Sequence, residues 1–580
     1  MEKDQNTAVE RERSMITAAR QKGRAATLLV YTRLSGPGWL QSAITLGGGS
    51  LAGSLYLGVL GGFSLLWLQP LAMIMGVIML SAISYVALSV KERPFEAVNN
   101  HVNPVLGWGW AIATLMANLV WAMPQFSLGT AAIRQNLLPN LVGPASAMPE
   151  STAKLIVCGA IATACLVVVW FYDSGSWGIK LFEVILKLMV ALVVLCFFGV
   201  IIRMTQAGVL DWRAILAGFV PDLGLLRSPA PGLAAVIESV SERFRPFWTD
   251  RIVSRQRDVM IAASAVAVGI NMTFLMPYAI RRRGWDRQFR GLAIFDLATG
   301  LFIPFMLATS CVVIASAAQF HAKPAAGTPV EESAADPADS RIIQYKKIAA
   351  ARVRYEIGEA RFDHLRANEP RRIDELVERL PDSDKRIAAM LVNRDAFDLA
   401  QSLSPLTGEI FSHYIFGVGV IGMVTSSIII LMLINGFVVC EMFGIEPSGR
   451  AHRLACLMPA VGMLGPFIWT GGKAQFWLAV PTSVFGMTLL PIAYFSFYLL
   501  MNQKALLKEN MPKGARRLAW NILMAIASSL AALGSLWSLW SKLKWTGIVI
   551  MAAFIALVLA AHVVRRHRRA LTDPQASSGR

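Results

Sequence analysis

The chain has 580 residues, is 55% hydrophobic and has a mean hydropathy of +0.52. Many windows exceed the roughly 18 apolar residues that mark a membrane-spanning helix, which excludes an ordinary soluble globular protein. The net charge is +18, and its dense basic clusters, 281–283, 513–517 and 565–569, each lie beside an apolar segment. That placement is typical of the positive-inside rule and of contact with anionic lipid head groups, rather than of nucleic-acid binding.

Twelve apolar segments along the chain are predicted to span the membrane as α-helices. Their approximate bounds are 38–62, 64–90, 105–134, 153–172, 178–203, 258–281, 291–318, 410–440, 453–471, 475–502, 517–539 and 545–564. Cytoplasmic N- and C-termini put every basic cluster on the cytoplasmic side, as the positive-inside rule requires. The sequence therefore predicts an all-α polytopic protein in a lipid bilayer, for which we expect the bacterial inner (plasma) membrane.

Two long polar stretches separate these spans, 205–257 and 319–407. The second contains charged amphipathic helical patterns over 341–367 and 370–403. Long loops are translocated regardless of their charge, so both stretches are expected outside the cytoplasm. The predicted division is a cytoplasmic tail over 1–35, transmembrane helices one to seven over 36–318, an extracytoplasmic charged helical insertion over 319–407, helices eight to twelve over 408–564, and a cytoplasmic tail over 565–580.

Spans one and six are interrupted by residues that disfavour helix. Residues 47–50 read Gly-Gly-Gly-Ser, and residues 276–278 read Met-Pro-Tyr. Glycine and proline leave backbone groups unpaired, which a membrane tolerates only where the backbone is buried or lines a cavity. Paired interruptions in the two halves of a membrane chain indicate a transporter's substrate site. We therefore predict a LeuT-type 5+5 inverted repeat with discontinuous helices one and six, broken near 47–50 and 273–278 and facing each other.

Few ionisable residues lie inside the spans. Glu183 and Lys187 are one helical turn apart in span five, which fits either a functional intramembrane site or a self-satisfying ion pair. We interpret Glu441 as an interfacial structural residue and Asp296 as a salt-bridge partner of the basic 281–290 cluster. No cysteine or histidine pair has metal-ligand spacing. No nucleophile, acid/base or nucleotide-binding pattern occurs, so we expect neither an enzyme nor a cofactor.

Three segments together resemble the Nramp (natural resistance-associated macrophage protein) family of divalent-metal transporters. Span one begins Gly36-Pro-Gly and reaches 47–50 eleven residues later, where the family has Asp-Pro-Gly-Asn. Residues 273–278 are similar to its Ala-x-x-Met-Pro-His, and 435–443 to its Ala-Gly-Gln-Ile-Val-Met-Glu-Gly-Phe. The resemblance covers most of spans one to ten. It implies a LeuT-type fold and proton-coupled import of metals such as manganese and iron.

In that family the helix-one Asp and Asn, the helix-six Met and a backbone carbonyl bind the metal. Carried over by position, the resemblance implies a substrate site formed by Gly47, Gly48, Gly49, Ser50, Thr273, Met276, Tyr278 and Phe437. Gly47 and Ser50 stand where the family has the Asp and the Asn, and Met276 is the retained metal ligand. Thr273 takes the carbonyl-donating position, while Tyr278 and Phe437 replace a His and a Gln. Span three has no carboxylate in its apolar part, where the family has acids linked to proton movement.

This degenerate metal site changes the expected substrate. A partly dehydrated divalent ion favours anionic oxygen, imidazole or thiolate ligands, and the predicted site offers a thioether, hydroxyls and carbonyls. A neutral site suits a monovalent ion or a small polar solute. We predict a Nramp-like secondary transporter of such a species, with proton coupling left open. The alternative is a transport-inactive receptor or scaffold that kept the transporter fold, with a partner protein bound at the 319–407 insertion.

Overall fold

A computed structural model describes residues 2–143, 146–172, 176–330, 340–408, 414–468 and 479–572, which are helical and contain no strand. Through span five and the loop after it the α-helices are α1 (Glu2–Lys22), α2 (Arg24–Leu34), α3 (Pro37–Thr45), α4 (Gly48–Gly61), α5 (Leu68–Ala87), α6 (Pro94–Ala97), α7 (Pro104–Ala132), α8 (Pro139–Val142), α9 (Glu150–Tyr172), α10 (Ser176–Gln206), α11 (Trp212–Ala217) and α12 (Pro231–Glu238). Spans six and seven and the insertion contain α13 (Arg245–Ala267), α14 (Ile270–Arg282), α15 (Arg290–Asp296), α16 (Ile303–Phe320), α17 (Ser340–Ile357), α18 (Glu359–Asn368), α19 (Pro370–Glu378), α20 (Asp382–Met390) and α21 (Ala396–Thr407). The remaining described helices are α22 (Phe416–Met442), α23 (Gly449–Ala455), α24 (Gly465–Ile468), α25 (Ala479–Met501), α26 (Lys504–Leu507) and α27 (Gly514–Thr572).

The described helices account for twelve membrane crossings. Ten helical stretches are long and apolar enough to span a membrane, and the bent pair α3–α4 raises this to eleven. One of the ten, Gly514–Arg565, has 52 residues. At 1.5 Å per residue it is about 78 Å long, more than twice the apolar core of a bilayer. Its backbone leaves the helical region at Lys544 (φ 51°, ψ −129°), so α27 crosses twice. With α27 divided at this kink, the candidate spans number twelve, as the sequence predicts, while the inverted repeat stays a prediction.

Span one is broken where the sequence predicts. The helix α3 ends at Thr45, α4 begins at Gly48, and the two axes differ by 57°. Gly47 lies between them in an extended conformation (φ −107°, ψ −176°). A Cβ at this position would lie 2.1 Å from Ser427 Oγ of α22. The missing side chain therefore lets span eight approach the broken backbone directly.

The break in span six lies about one helical turn earlier than the sequence predicts. Val268 and Gly269 are extended (φ −143°, ψ 109° and φ −85°, ψ 166°), and they separate α13 from α14. The predicted break over 273–278 is wrong, because those residues lie inside α14. The chain breaks at Gly269 next to the Trp121 ring, which a Cβ there would approach to 2.4 Å. Pro277 is accommodated within α14, although a helical proline removes one backbone hydrogen bond.

The N-terminal tail and the basic clusters share one face of the helical bundle, which we name the tail face. Arg13 of α1 forms an ion pair with Asp286 in the loop after span six, at 3.0 Å. Arg281 donates to the Lys91 carbonyl, at 2.8 Å, and so joins that loop to the one after span two. Arg565 donates to a carbonyl of the same inter-span stretch, at 3.1 Å. The tail is therefore a helical element packed on the bundle.

The insertion forms a second face, which we name the insertion face, and part of it is embedded in the bundle. Every residue from 387 to 396 is buried. The Tyr56 hydroxyl of α4 donates to the Arg394 carbonyl, at 2.6 Å. The Trp248 indole of α13 donates to Asp384 Oδ1, at 2.7 Å. This segment thus covers the ends of the broken spans one and six.

Candidate substrate site

A small cavity lies between the two helix breaks and spans three, eight and ten. Its volume is about 40 Å³. The residues that line it are Ile44, Thr45, Gly47, Gly49, Ser50, Trp121, Pro124, Gln125, Ala265, Val266, Gly269, Asn271, Met272, Ser427, Leu431, Thr482 and Ser483. None of these described residues is ionisable. The cavity is therefore uncharged, with polar groups set among apolar side chains such as Ile44, Val266 and Leu431.

The amino-terminal end of α4 presents backbone amides to this cavity. The first amides of a helix have no partner within the helix. The amide of Gly48 donates to Gln125 Oε1 of span three, at 2.9 Å. Gly49 and Ser50, in the same first turn, line the cavity wall. The helix dipole makes this end weakly electropositive, which suits an electron-rich group on a solute.

The carboxyl-terminal end of α3 is satisfied by hydroxyl groups. Ser426 Oγ of α22 donates to the Ala43 carbonyl, at 2.9 Å. Ser427 Oγ lies 3.4 Å from the Ile44 carbonyl, and Ser50 Oγ donates to the Thr45 carbonyl. Broken backbone in a membrane needs such partners. Span eight therefore supplies the polar groups that make the break in span one stable.

The break in span six contributes a thioether and an amide. Thr45 Oγ1 lies 3.2 Å from Met272 Sδ, across the cavity between the two breaks. Asn271 Oδ1 accepts from the Met272 amide, at 2.8 Å. Asn271 Nδ2 is buried and has no hydrogen-bond partner among the residues that the structure describes. A buried donor of this kind favours a ligand that carries an acceptor atom.

The structure gathers the predicted span-one residues at this cavity. Gly47, Gly49 and Ser50 line it, and Gly48 contributes the amide bonded to Gln125. Positions 47–50 thus form one wall of the candidate site.

The structure does not bring the other four predicted residues into that wall. Thr273 Oγ1 accepts from the Trp110 indole, at 2.9 Å, and Met276 is fully buried outside the lining. Tyr278 and Phe437 pack as near-parallel rings with centroids 5.9 Å apart. These positions lie deeper in α14 and α22, away from the break.

Met272 takes the place that the sequence assigned to Met276. The two methionines are four residues apart, about one helical turn, so a break that begins at Gly269 exposes the earlier one. The sequence prediction placed the break at the Met-Pro pair 276–277. The glycine at position 269 was the sequence signal that could have located it. The hydroxyls of Ser427, Thr482 and Ser483 had no recognisable motif, because only tertiary packing brings them to the cavity.

The charges of span five do not pair with each other. Glu183 accepts from Arg283 of span six, with Nε–Oε1 at 3.1 Å. Lys187 Nζ instead donates to the Ser35 carbonyl at the start of span one, at 3.0 Å. The self-satisfying pair considered from sequence is therefore absent from this structure. Both side chains hold the tail-face end of span one against its neighbours.

Two further carboxylates fix the tail-face ends of the spans. Asp296, fully buried, accepts from the amides of Gly36 and Gly38, at 3.1 and 2.6 Å. It caps the amino terminus of α3, where a negative charge is favourable, rather than pairing mainly with the 281–290 cluster. Glu441 faces Arg93, at 3.5 Å, and is 2% exposed. No described group of three or more His, Cys, Asp or Glu side chains could hold a metal ion.

Comparison with known proteins gives the family. A sequence model described as natural resistance-associated macrophage protein-like matches residues 38–338 and 387–541. The chain belongs to the Nramp family. It is therefore an integral membrane protein of a family of metal-ion transporters, not of enzymes. The unmatched stretch of this Nramp chain, 339–386, contains α17, α18 and α19.

Solved structures share the fold. A mutant of the Eremococcus coleocola manganese transporter superposes with a TM-score of 0.60 at 14% identity, covering 93% of this chain and 95% of that one. The same transporter in complex with an aromatic bis-isothiourea-substituted compound gives a TM-score of 0.59 at 15% identity, with the same coverage. A search of curated protein sequences finds no match. At these identities the likeness concerns the fold.

Proposed function

We propose that this Nramp protein is a secondary transporter whose central site takes a monovalent ion or a small polar solute rather than a bare divalent metal. One observation supports this most directly. The cavity between the helix breaks is lined, among described residues, by apolar side chains together with hydroxyl, amide, thioether and backbone groups, and by no charged side chain.

A divalent ion is poorly compensated at such a site. It loses part of its hydration shell on binding, and neutral ligands return only part of that free energy. A carboxylate would supply the missing attraction, and none lines the cavity. A single thioether, Met272, is a weak ligand that prefers soft ions. We therefore propose, from the chemistry of the lining residues, that the metal site of the family is degenerate in this chain.

A small uncharged or singly charged species fits better. The cavity of about 40 Å³ has room for one ion or a few atoms. The hydroxyl groups of Thr45, Ser427 and Ser483 donate to backbone carbonyls, and their oxygens remain able to accept. The first-turn amides of α4 and the Asn271 amide offer donors. A mixed donor and acceptor lining suits a polar solute or a monovalent ion.

We assign the tail face to the cytoplasm and the insertion face to the outside. Basic clusters gather on the tail face, as the positive-inside rule requires of a cytoplasmic surface. In a bacterium this would be the inner membrane.

A ligand screen on the purified full-length protein tests the proposal. A ligand that binds the folded state raises its melting temperature. We expect a monovalent ion or small polar solute to do so, and manganese chloride to have no effect. The shift should be lost in Met272→Ala and retained in Met276→Ala, a matched control in the same helix but outside the cavity. Uptake of the identified species into proteoliposomes should follow the same pattern. Micromolar manganese binding that needs Met272 would overturn the proposal.

The second candidate is a receptor or scaffold that has lost transport. The observation that favours it is the stretch 339–386, which the family model does not match and whose described helices α17 to α19 belong to the insertion. Under this alternative no screened species enters proteoliposomes, and deletion of 340–380 abolishes binding of a partner protein. Uptake by the intact chain would exclude it.

A further inference from the structure

A second and larger cavity lies beside the break in span six. Its volume is about 530 Å³, within the usual range of ligand pockets. Its walls come from spans two, six, ten and eleven and from the loop after span five, and they are mostly apolar. The charged members of the lining are Arg227 and Arg257. It shares no lining residue with the central cavity.

The outer wall of this cavity faces lipid. Leu530 and Leu533 of α27 line it and are 44% and 62% exposed. Exposed leucines on a spanning helix contact hydrocarbon. An occupant can therefore enter sideways from the bilayer.

One end of the cavity is cationic. Arg257 Nε donates to the Leu226 carbonyl, at 2.5 Å, and its guanidinium lies 4.8 Å from the centroid of the Trp537 ring. This contact fixes the turn that carries Arg227 over span six. The Arg227 side chain is exposed and makes no hydrogen bond or ion pair within the described ranges. The nearby Asp258 is already paired with Lys542, at 2.5 Å.

The other end of the cavity reaches the helix break. Val268 lines it and follows Arg257 by eleven positions in the chain. That separation is about 16 Å along α13, roughly half the apolar core of a bilayer. Val268 packs on Gly76 of span two, whose Cβ would lie 2.1 Å from Val268 Cγ2. The next residue, Gly269, lines the central cavity.

We propose that this cavity binds one acyl chain of an anionic phospholipid, with its phosphate on Arg227 and Arg257 and its chain reaching the span-six break. Guanidinium groups bind phosphate oxygens through paired, charge-assisted hydrogen bonds. A zwitterionic lipid is attracted less strongly, because the cation of its own head group cancels the charge of its phosphate. The length of α13 between Arg257 and Val268 matches the thickness of the hydrocarbon layer of one leaflet. The bilayer itself supplies this ligand at high concentration.

Native mass spectrometry of the full-length protein tests this with phosphatidylglycerol and phosphatidylcholine of identical chains. We expect phosphatidylglycerol to bind at least about tenfold more tightly. Arg227→Gln, at an exposed side chain, should reduce that preference, and Arg227→Gln/Arg257→Gln should abolish it. The charge-matched control Arg203→Gln/Arg213→Gln, at exposed positions outside the cavity, should keep it.

A cavity-filling variant tests whether the cavity binds the acyl chain of the lipid. Ala72→Phe places a ring in the wall of the cavity and should reduce tightly bound phosphatidylglycerol while leaving both arginines in place. Equal binding of the two lipids, or a preference that survives removal of both arginines, would overturn the proposal. Displacement of phosphatidylglycerol by an equal concentration of oleate would also overturn it, because the ligand would then be a free long-chain carboxylate.

Discussion

Restoring a carboxylate at the break in span one should create a divalent-metal site, but only if span eight makes room for it. A Cβ at Gly47 would lie 2.1 Å from Ser427 Oγ and 3.1 Å from Ser427 Cβ. Gly47→Asp alone therefore overpacks the site, at about 1–3 kcal/mol, and buries an unpaired charge. Ser427→Ala removes the nearer atom, and the remaining contact needs a shift of a few tenths of an ångström. The variant to make is Gly47→Asp/Ser427→Ala.

The expected gain follows from the charge. A buried charge without a partner costs about 3–5 kcal/mol, and a divalent ion bound beside the new carboxylate relieves that cost. At about 1.4 kcal/mol per decade, manganese affinity should rise by at least about a hundredfold. Ser50→Asn, which would add the second family ligand, is better left out, because Ser50 Oγ donates to the Thr45 carbonyl at the break.

Calorimetric titration with manganese chloride measures the effect, and the melting temperature checks it independently. We expect the metal-free double variant to melt below the unmodified protein and to recover stability as manganese is added. The matched control is Gly47→Asn/Ser427→Ala, which has the same shape without the charge and should not bind. Equal manganese binding by the Asn and Asp variants would refute the electrostatic reasoning. Micromolar binding by the unmodified protein would show that neutral groups replace the missing ligands.

Three further outcomes are expected. Glu183→Gln should destabilise the folded protein by about 3–5 kcal/mol, because it removes the carboxylate partner of Arg283 at a site where the side chains of Glu183 and Arg283 are only 11% and 20% exposed. In thermal unfolding, the double variant Glu183→Gln/Arg283→Gln should lose less stability than the sum of the two single changes. Burial lowers the pKa of His321 below its usual range, so the stabilisation by the neutral ring should be full above about pH 6.5 and fall as the pH drops below it. His321→Gln should flatten this part of the curve of melting temperature against pH. An unchanged slope would contradict the assignment. Single cysteines at Arg361 and Lys513, both exposed, should react with impermeant reagents from opposite sides of the membrane, and labelling of both from one side would refute the topology.

The sequence by itself determined the class, the number of spans and the break in span one. Long apolar runs cross a bilayer as helices, and a run of glycines at 47–49 disfavours a continuous helix through it, so these features depend on local composition. The basic clusters likewise share one face because each follows an even-numbered span. The resemblance to Nramp proteins, based on three short segments, was confirmed by the family match.

Tertiary structure alone decided which side chains meet at the site. Span six breaks at Gly269, where the Trp121 ring leaves no room for a Cβ, rather than at Pro277, and only the packed structure shows that contact. That choice places Met272 rather than Met276 in the cavity. The same holds for Ser427, whose hydroxyl occupies the space beside Gly47. Such contacts join residues hundreds of positions apart, because the bundle must give every unpaired backbone group of a broken helix a partner.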